Sequence, residues 1–115
     1  MVHAQGRSVG TSLASTSKTT LYTVPKLHSS VVAHTFVVNN STGTTNFNFA
    51  WTDSSSTDTE YDLTIASTIL AKQHEYFSWN LPLDESDTVN VTASSTLTCN
   101  ITLSLDETFT ERNRP

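Results

Sequence analysis

The sequence predicts an all-β fold: an antiparallel β-sandwich, jelly-roll-like, of seven to eight strands preceded by an extended N-terminal arm. Two observations carry that reading. Apolar residues recur at every second position through much of the chain, which puts successive side chains on opposite faces of a sheet. The sharpest case is residues 87–105. There Val89, Val91 and Ala93 alternate with Asn90 and Thr92, and Leu97, Cys99, Ile101, Leu103 and Leu105 alternate with Thr98, Asn100, Thr102 and Ser104. Joined by Ser94-Ser95, these two runs read as an antiparallel hairpin with one oily face and one hydroxyl-rich face. The second observation is compositional. Serine and threonine make up roughly a third of the 115 residues, and charged residues only 15%. Threonine's stiff branched Cβ suits a pleated, half-buried surface, and serine suits turns.

Taken in order, residues 1–17 hold Val2, Val9 and Leu13 among glycines, serines and threonines. That composition buries too little to fold alone, so the segment reads as an extended or flexible arm, ordered if at all by a neighbouring subunit. Residues 18–106 read as the sandwich and 107–115 as an exposed tail. The first strand covers residues 19–24 and ends at Pro25, which lacks the N–H a ladder needs. Lys26, Leu27 and His28 form a turn. Residues 30–39 make a second strand, with Val32, Phe36 and Val38 on one side and Val31, Ala33 and Val37 on the other. Apolar residues on both faces indicate cover on both, by a second sheet within and another subunit outside.

A polar turn of Asn39, Asn40, Ser41, Thr42 and Gly43 follows. Residues 45–52 place Phe47, Phe49 and Trp51 on one face, a large burial payload. After the loop at residues 53–58, Tyr61, Leu63 and Ile65 alternate inward with Glu60, Asp62 and Thr64 outward. Residues 67–72 are consistent with a loop, a short edge strand or one helical turn. Residues 73–79 form another strand. Leu81-Pro82-Leu83 and an acidic turn at residues 84–87 then lead into the final pair.

A net charge of −5 argues against nucleic-acid binding, which ordinarily shows a basic patch. No run of eighteen apolar residues exists to span a membrane as a helix. Residues 1–7 lack the apolar core of a signal peptide, so the N-x-S/T triplets at Asn39, Asn40, Asn90 and Asn100 read as by-products of Asn/Thr-rich strands. Cys99, the sole cysteine, excludes an intramolecular disulfide and sits in the apolar register of Leu97 and Ile101 as a small buried hydrophobe.

The residues also bring a family into view. TLYTVP at residues 20–25, a turn, and VVAHTFVVN at residues 31–39 resemble small all-β structural proteins of tailed-bacteriophage virions. There a TLYTVP-type opening precedes a valine-rich strand and a polar turn. LPLDESDTVNVTAS at residues 81–94 is similar to that family's "L.LEAGDTL.V.AS" segment, and residues 97–105 fill its alternating final strand. The likeness spans about residues 19–105. It departs where the family has glycine-containing turns, here Lys26-Leu27-His28 and Glu85-Ser86. It implies a virion component of the head, neck or tail and carries over no catalytic residue.

No side-chain set makes a convincing chemical site. The histidines His3, His28, His34 and His74 lack metal-ligand spacing, and His34 reads as a hydrogen-bonded, partly buried or interface residue. The acids at 58 and 60, at 84, 85 and 87, and at 106 and 107 sit in turns or at strand ends. The loop Asp53-Ser-Ser-Ser-Thr-Asp58 lacks the D-x-D-x-D ligand pattern of a calcium site. No G-x-S-x-G elbow is present. Trp51, Tyr76, Phe77 and Trp79 invite comparison with a sugar-stacking platform, but Trp51 shares its face with core aromatics, and Tyr76 and Trp79 fall on opposite faces. The expectation is therefore a non-enzymatic protein with no catalytic, cofactor-binding or metal residues. It would act as a decoration (cement) protein on a phage capsid, as a homo-oligomer with a trimer favoured, and with the major capsid protein or other virion proteins as partners. The alternatives are a neck or tail component and a carbohydrate-binding host-adsorption module. The candidate interface residues are Val31, Ala33 and Val37 on one strand, Thr98, Asn100 and Thr102 on another, and Tyr76 and Trp79.

Overall fold

A computed structural model describes residues 3–13, 17–40, 42–64, 67–93 and 99–109. These build nine strands and one short 3-10 turn. The strands are β1 (His3–Leu13), β2 (Thr19–Thr23), β3 (His28–Asn39), β4 (Thr45–Asp53), β5 (Thr59–Asp62), β6 (Ser67–Ile69), β7 (His74–Leu83), β8 (Thr88–Ala93) and β9 (Cys99–Phe109). One sheet runs β1-β9-β3-β7. The other runs β2-β8-β4-β5, with β6 beside β5 on the same edge of β4. All pairings are antiparallel. Successive strands mostly alternate between the sheets, which is the winding of a jelly roll.

That winding corrects the hairpin expected over residues 87–105. β8 pairs with β2 and β4, whereas β9 pairs with β1 and β3, so the two runs face each other across the core instead of lying side by side. Period-two alternation reports only which residues face inward. A hairpin and a sheet-to-sheet crossover satisfy it equally. The strand count also exceeds the expected seven to eight. The ambiguous residues 67–72 contribute β6, and the segment expected as an arm contributes β1, which runs along β9 from His3↔Phe109 to Leu13↔Cys99. At the other end, β9 continues through Phe109 into the expected tail. Residues 1–2, 14–16 and 110–115, parts of those two segments, lie outside the described residues.

The core lies between the sheets. Val32, Val37, Ile101, Leu103, Leu105 and Cys99 come from one side and Phe47, Phe49, Val89, Val91 and Ala93 from the other, all buried. Phe47 and Phe49 are fully buried, and Phe49 meets Phe77 and Trp79 edge-on at 5.6 and 6.0 Å. The outward side of the second sheet is polar and cross-linked by side chains, among them the Lys18–Glu60 ion pair at 3.2 Å. Asn90, itself buried, accepts from Thr20 Oγ1 at 3.1 Å and donates to Thr52 Oγ1 at 2.9 Å and Glu60 Oε2 at 3.3 Å. Such satisfaction offsets the desolvation cost of a buried amide.

Buried polar groups also fix the turns. Asp87 takes three hydrogen bonds, from the backbone N–H of Ser54 (2.9 Å), its hydroxyl (3.0 Å) and the N–H of Asp84 (2.9 Å). It thereby ties the 3-10 turn after β4 to the β7–β8 connection. Asn39 donates to the carbonyls of Gly43, Ile69 and Leu70 at 2.8, 3.0 and 3.1 Å, pinning the β3–β4 turn to β6. Leu27 and Ser86 take positive φ, 62° and 73°, at the turns where glycine would be least strained.

Candidate interaction face

The outward face of the β1-β9-β3-β7 sheet carries the exposed apolar groups of interest, and one backbone irregularity decides which residues those are. β3 pairs regularly with β9 and β7 until Ala33, where both ladders shift register between Val32 and His34. A bulge inserts a residue and reverses the in–out parity on either side of it. Val32 on one side and Thr35, Val37 and Asn39 on the other therefore all point inward. His34, Phe36 and Val38 point outward.

The sequence-predicted interface residues sort accordingly. Val37 is fully buried in the core and so cannot meet a partner, a correction that follows from the bulge. Val31 and Ala33 are half-buried, Ala33 at the bulge itself. Asn100 and Thr102 are exposed on β9, with Thr102 in register with Gly10 on one side and Phe36 on the other. Thr98 lies outside the described residues. Tyr76 is 48% exposed and outward. Trp79 faces the other way. It is half-buried, stacked on Phe77 at 5.2 Å with rings 6° from parallel, and donates its indole N–H to the buried hydroxyl of Thr35 at 2.6 Å. Trp79 thus belongs to the rim of the core.

The residues sequence reasoning missed are Phe36 and Val38, each 43% exposed. With Tyr76 they form one contiguous patch. Phe36 lies directly across from Tyr76, ring centroids 4.8 Å apart, and Tyr76 stacks on His34 at 5.2 Å while its hydroxyl hydrogen-bonds His34 Nδ1 at 2.7 Å. The stacking and the hydrogen bond hold Tyr76 in one orientation, so little side-chain entropy remains to be lost on contact with a partner. The signal in the sequence was the apolar character of both faces of residues 31–38; only the bulge was hidden. Other exposed large apolar groups are differently placed. Leu27 and Leu70 sit at turns, Tyr61 stacks on Trp51 at 5.2 Å, and Phe109 lies against His28 at 5.4 Å.

A second feature joins the sheets at the other flank. The hydroxyl of Tyr22 on β2 donates to Glu107 Oε2 on β9 at 2.6 Å and lies 2.6 Å from Ser30 Oγ on β3. Arg7 on β1 reaches the same carboxylate oxygen at 2.8 Å and lies over the Tyr22 ring, 5.9 Å from its centroid. Burial, reinforced by the hydrogen bond to Glu107, pushes the Tyr22 phenol up to about 12. Desolvation alone would raise Glu107, but the hydrogen bonds from Tyr22 and Arg7 together outweigh it and hold the carboxyl below its ordinary value. The cluster is a neutral phenol and an ionised acid that clamp four strands. Cys99 is also accounted for: burial pushes its thiol up, and Sγ lies 3.9 Å from Asn39 Oδ1. Among the described residues no three His, Cys, Asp or Glu side chains gather as a metal site.

No family model matches the chain, and no curated protein matches it in sequence. Solved structures do match. A chain of the infectious bursal disease virus Gx strain superposes with a TM-score of 0.61 at 10% identity, over 100% of this chain and 33% of that one. The D431N mutant VP2 protein of the same virus, from T=1 particles, gives 0.60 at 11% over 96% and 32%. A subunit of the disulfide-linked pili of Bacillus endospore appendages gives 0.57 at 12% over 96% and 89%. The chain spans about a third of the length of the viral chains it matches. At these identities the likeness is one of fold alone.

Proposed function

We propose that this chain is a non-enzymatic structural protein of a bacteriophage virion, a decoration (cement) protein that binds the outside of the capsid as a homo-oligomer, a trimer being favoured, with the major capsid protein as its partner. The observation that carries the reading is the contiguous patch of Phe36, Val38 and Tyr76, large apolar side chains held outward on a regular sheet face. Monomeric surfaces scatter such groups singly; a rimmed cluster marks a protein contact. Its rim includes Asn100, Thr102 and Ser78, uncharged and hydrogen-bonding, and the imidazoles of His34 and His74, the latter directly across from Val38, a polar rim of the kind that surrounds an interface core.

Two further points support the reading. The resemblance to tailed-phage virion proteins departs at glycine-containing turns, and Leu27 and Ser86 in those turns carry the positive φ that glycine tolerates best. The fold is also one that particle subunits of a virus adopt. A sandwich that adds contact area across shell seams strengthens the shell without chemistry.

Counting the protein in purified virions by quantitative mass spectrometry tests this directly. Decoration requires a copy number on the scale of the shell subunit's. A count matching a single ring at the neck or tail overturns decoration, and absence from the particle overturns the virion assignment.

A further inference from the structure

Among the described residues the four-stranded sheet has two long edges with no further strand paired to them, and they match. Among the described residues its outer strands are β1, eleven residues, and β7, ten, whereas the edge strands of the other sheet, β2, β5 and β6, have five, four and three. Short edges are one way proteins prevent strand pairing between molecules; long ones invite it. β7 is blunted at its far end, where Pro82 stands, Asn80 has φ 58° and the ladder to β3 slips beyond Ser78, leaving residues 74–78 as its regular edge. β1 contains no proline and is regular throughout.

Directions match as well. β1 is antiparallel to β9, β9 to β3 and β3 to β7, so β1 and β7 run oppositely. A second copy placed alongside in the same orientation therefore sets its β1 antiparallel to β7 of the first. Facing matches too. On β1 the half-buried Val9 faces the core and Gly10 faces out; on β7 the half-buried Phe77 faces the core and Tyr76 faces out. Val9 and Phe77 each pack against the rim of the core and stay partly exposed at opposite flanks of the sandwich.

We propose that copies of this chain join edge to edge, β7 of one copy pairing antiparallel with β1 of the next, so that the four-stranded sheet runs on from subunit to subunit. The existing row Gly10–Thr102–Phe36–Tyr76 sets the register. Continued level, it puts Gly10 of the next copy opposite Tyr76, Ser8 opposite Ser78 and Val9 opposite Phe77. The two half-buried apolar rims then cover each other, and Tyr76 lies over a glycine at which even an added Cβ would meet nothing within 4 Å. The contact is heterologous, so it closes into a ring where the rotation between copies permits. The proposal rests on the reading above that the chain is a homo-oligomer, and not on its place in a virion.

Mixed cross-linking tests it on the full chain. Ser8, Gly10 and Ser78 are exposed, and Cys99 is buried and stays out of the reaction. Oxidising Ser78→Cys with Ser8→Cys should give covalent dimers in high yield, with less from Gly10→Cys. Thr102→Cys, on the same face but mid-sheet, should give background only. Yields no higher for Ser8→Cys than for Thr102→Cys, or dimers only between like variants, overturn the proposal. Amide hydrogen exchange on the unmodified chain reads the same contact. Protection of β1 and of residues 74–78 should rise together with protein concentration; concentration-independent exchange at both edges overturns it. Neither readout involves a capsid, so an edge contact with no virion location, or the reverse, is distinguished.

Discussion

Tyr22 and Glu107 lie on opposite sheets and meet through one hydrogen bond of 2.6 Å. The phenol is pushed up to about 12 and the carboxyl is held low, so folding ties two titrations together at the flank where β1 docks. A group with a depressed folded pKa stabilises above its unfolded value and loses that contribution as pH falls; a raised one does so below its unfolded value and loses it as pH rises.

The pH profile of stability should therefore fall at both ends for this cluster. The Glu107 contribution is complete above about 4.3, the free carboxyl value, and is lost as acid protonates it. The Tyr22 contribution is complete below about 10 and is lost towards 12, on the order of 2 kcal/mol in all. Cys99, raised by burial, adds to the alkaline loss in the same direction. Urea midpoints across pH measure this. Tyr22→Phe should cost about 1–3 kcal/mol at neutral pH, by leaving Glu107 and Ser30 short of a partner, and should flatten the loss between pH 10 and 12. An unchanged alkaline limb in Tyr22→Phe would contradict the assignment.

Backbone strain at the two turns gives a prediction of opposite sign. Leu27 and Ser86 sit in the left-handed region at φ 62° and 73°. Substitution by glycine removes that penalty, about 1–2 kcal/mol, against the entropy glycine adds to the unfolded chain. Ser86→Gly should raise the unfolding free energy by about 0.5–1 kcal/mol, since the Ser86 N–H that bonds Val24 O at 3.0 Å is kept. Calorimetry on Ser86→Gly and Ser86→Ala separates the cases: alanine should give no gain.

Asp87 should prove the least replaceable acid in the chain. It is buried and holds three donors from Ser54 and Asp84. Asp87→Ala strands those donors and should cost about 2–3 kcal/mol, whereas the exposed Asp84→Ala and Asp62→Ala should stay within about 0.5 kcal/mol. Comparable losses at all three positions would mean that the carboxylate of Asp87 has no special role.

How much of this was legible depends on what alternation reports. The all-β class and the inward faces of residues 45–52, 88–93 and 99–105 follow from period two, because burial selects side chains two by two. The pairing partners do not follow: the strands of Val91 and Ile101 read as one hairpin and instead belong to two different sheets. Parity fails where backbone geometry changes it. A bulge at Ala33 sends Val37 inward and Phe36 outward, and nothing in the apolar run 31–38 marks that position. β1 was illegible for a third reason. Among its described side chains it buries only Leu13 completely, so hydrophobic pattern carried no signal; its place comes from ladder bonds to β9 and from Arg7 reaching Glu107. At the candidate face, Tyr76 was legible and its neighbours Phe36 and Val38 were not.

Tyr76 and Trp79 make the most discriminating pair of substitutions, because they lie three residues apart on one strand and face opposite ways. Trp79 packs on Phe77 and Phe49 and satisfies the buried Thr35 hydroxyl. Trp79→Ala should therefore cost about 3 kcal/mol of folding stability through cavity formation and an orphaned hydroxyl. Tyr76, 48% exposed, contributes its ring only to Phe36 and His34 on the surface. Tyr76→Ser with Phe36→Ser should cost about 1.5–3 kcal/mol of stability, since each ring is about half buried, and in the protein that stays folded should weaken association at least about tenfold, about 1.4 kcal/mol, as loss of central aromatic anchors does. Thermal unfolding together with sedimentation velocity reads both quantities on the same samples. If the double serine variant self-associates as well as the parent, the patch does not carry the contact between copies. If Trp79→Ala is as stable as the parent, its ring is not part of the core rim.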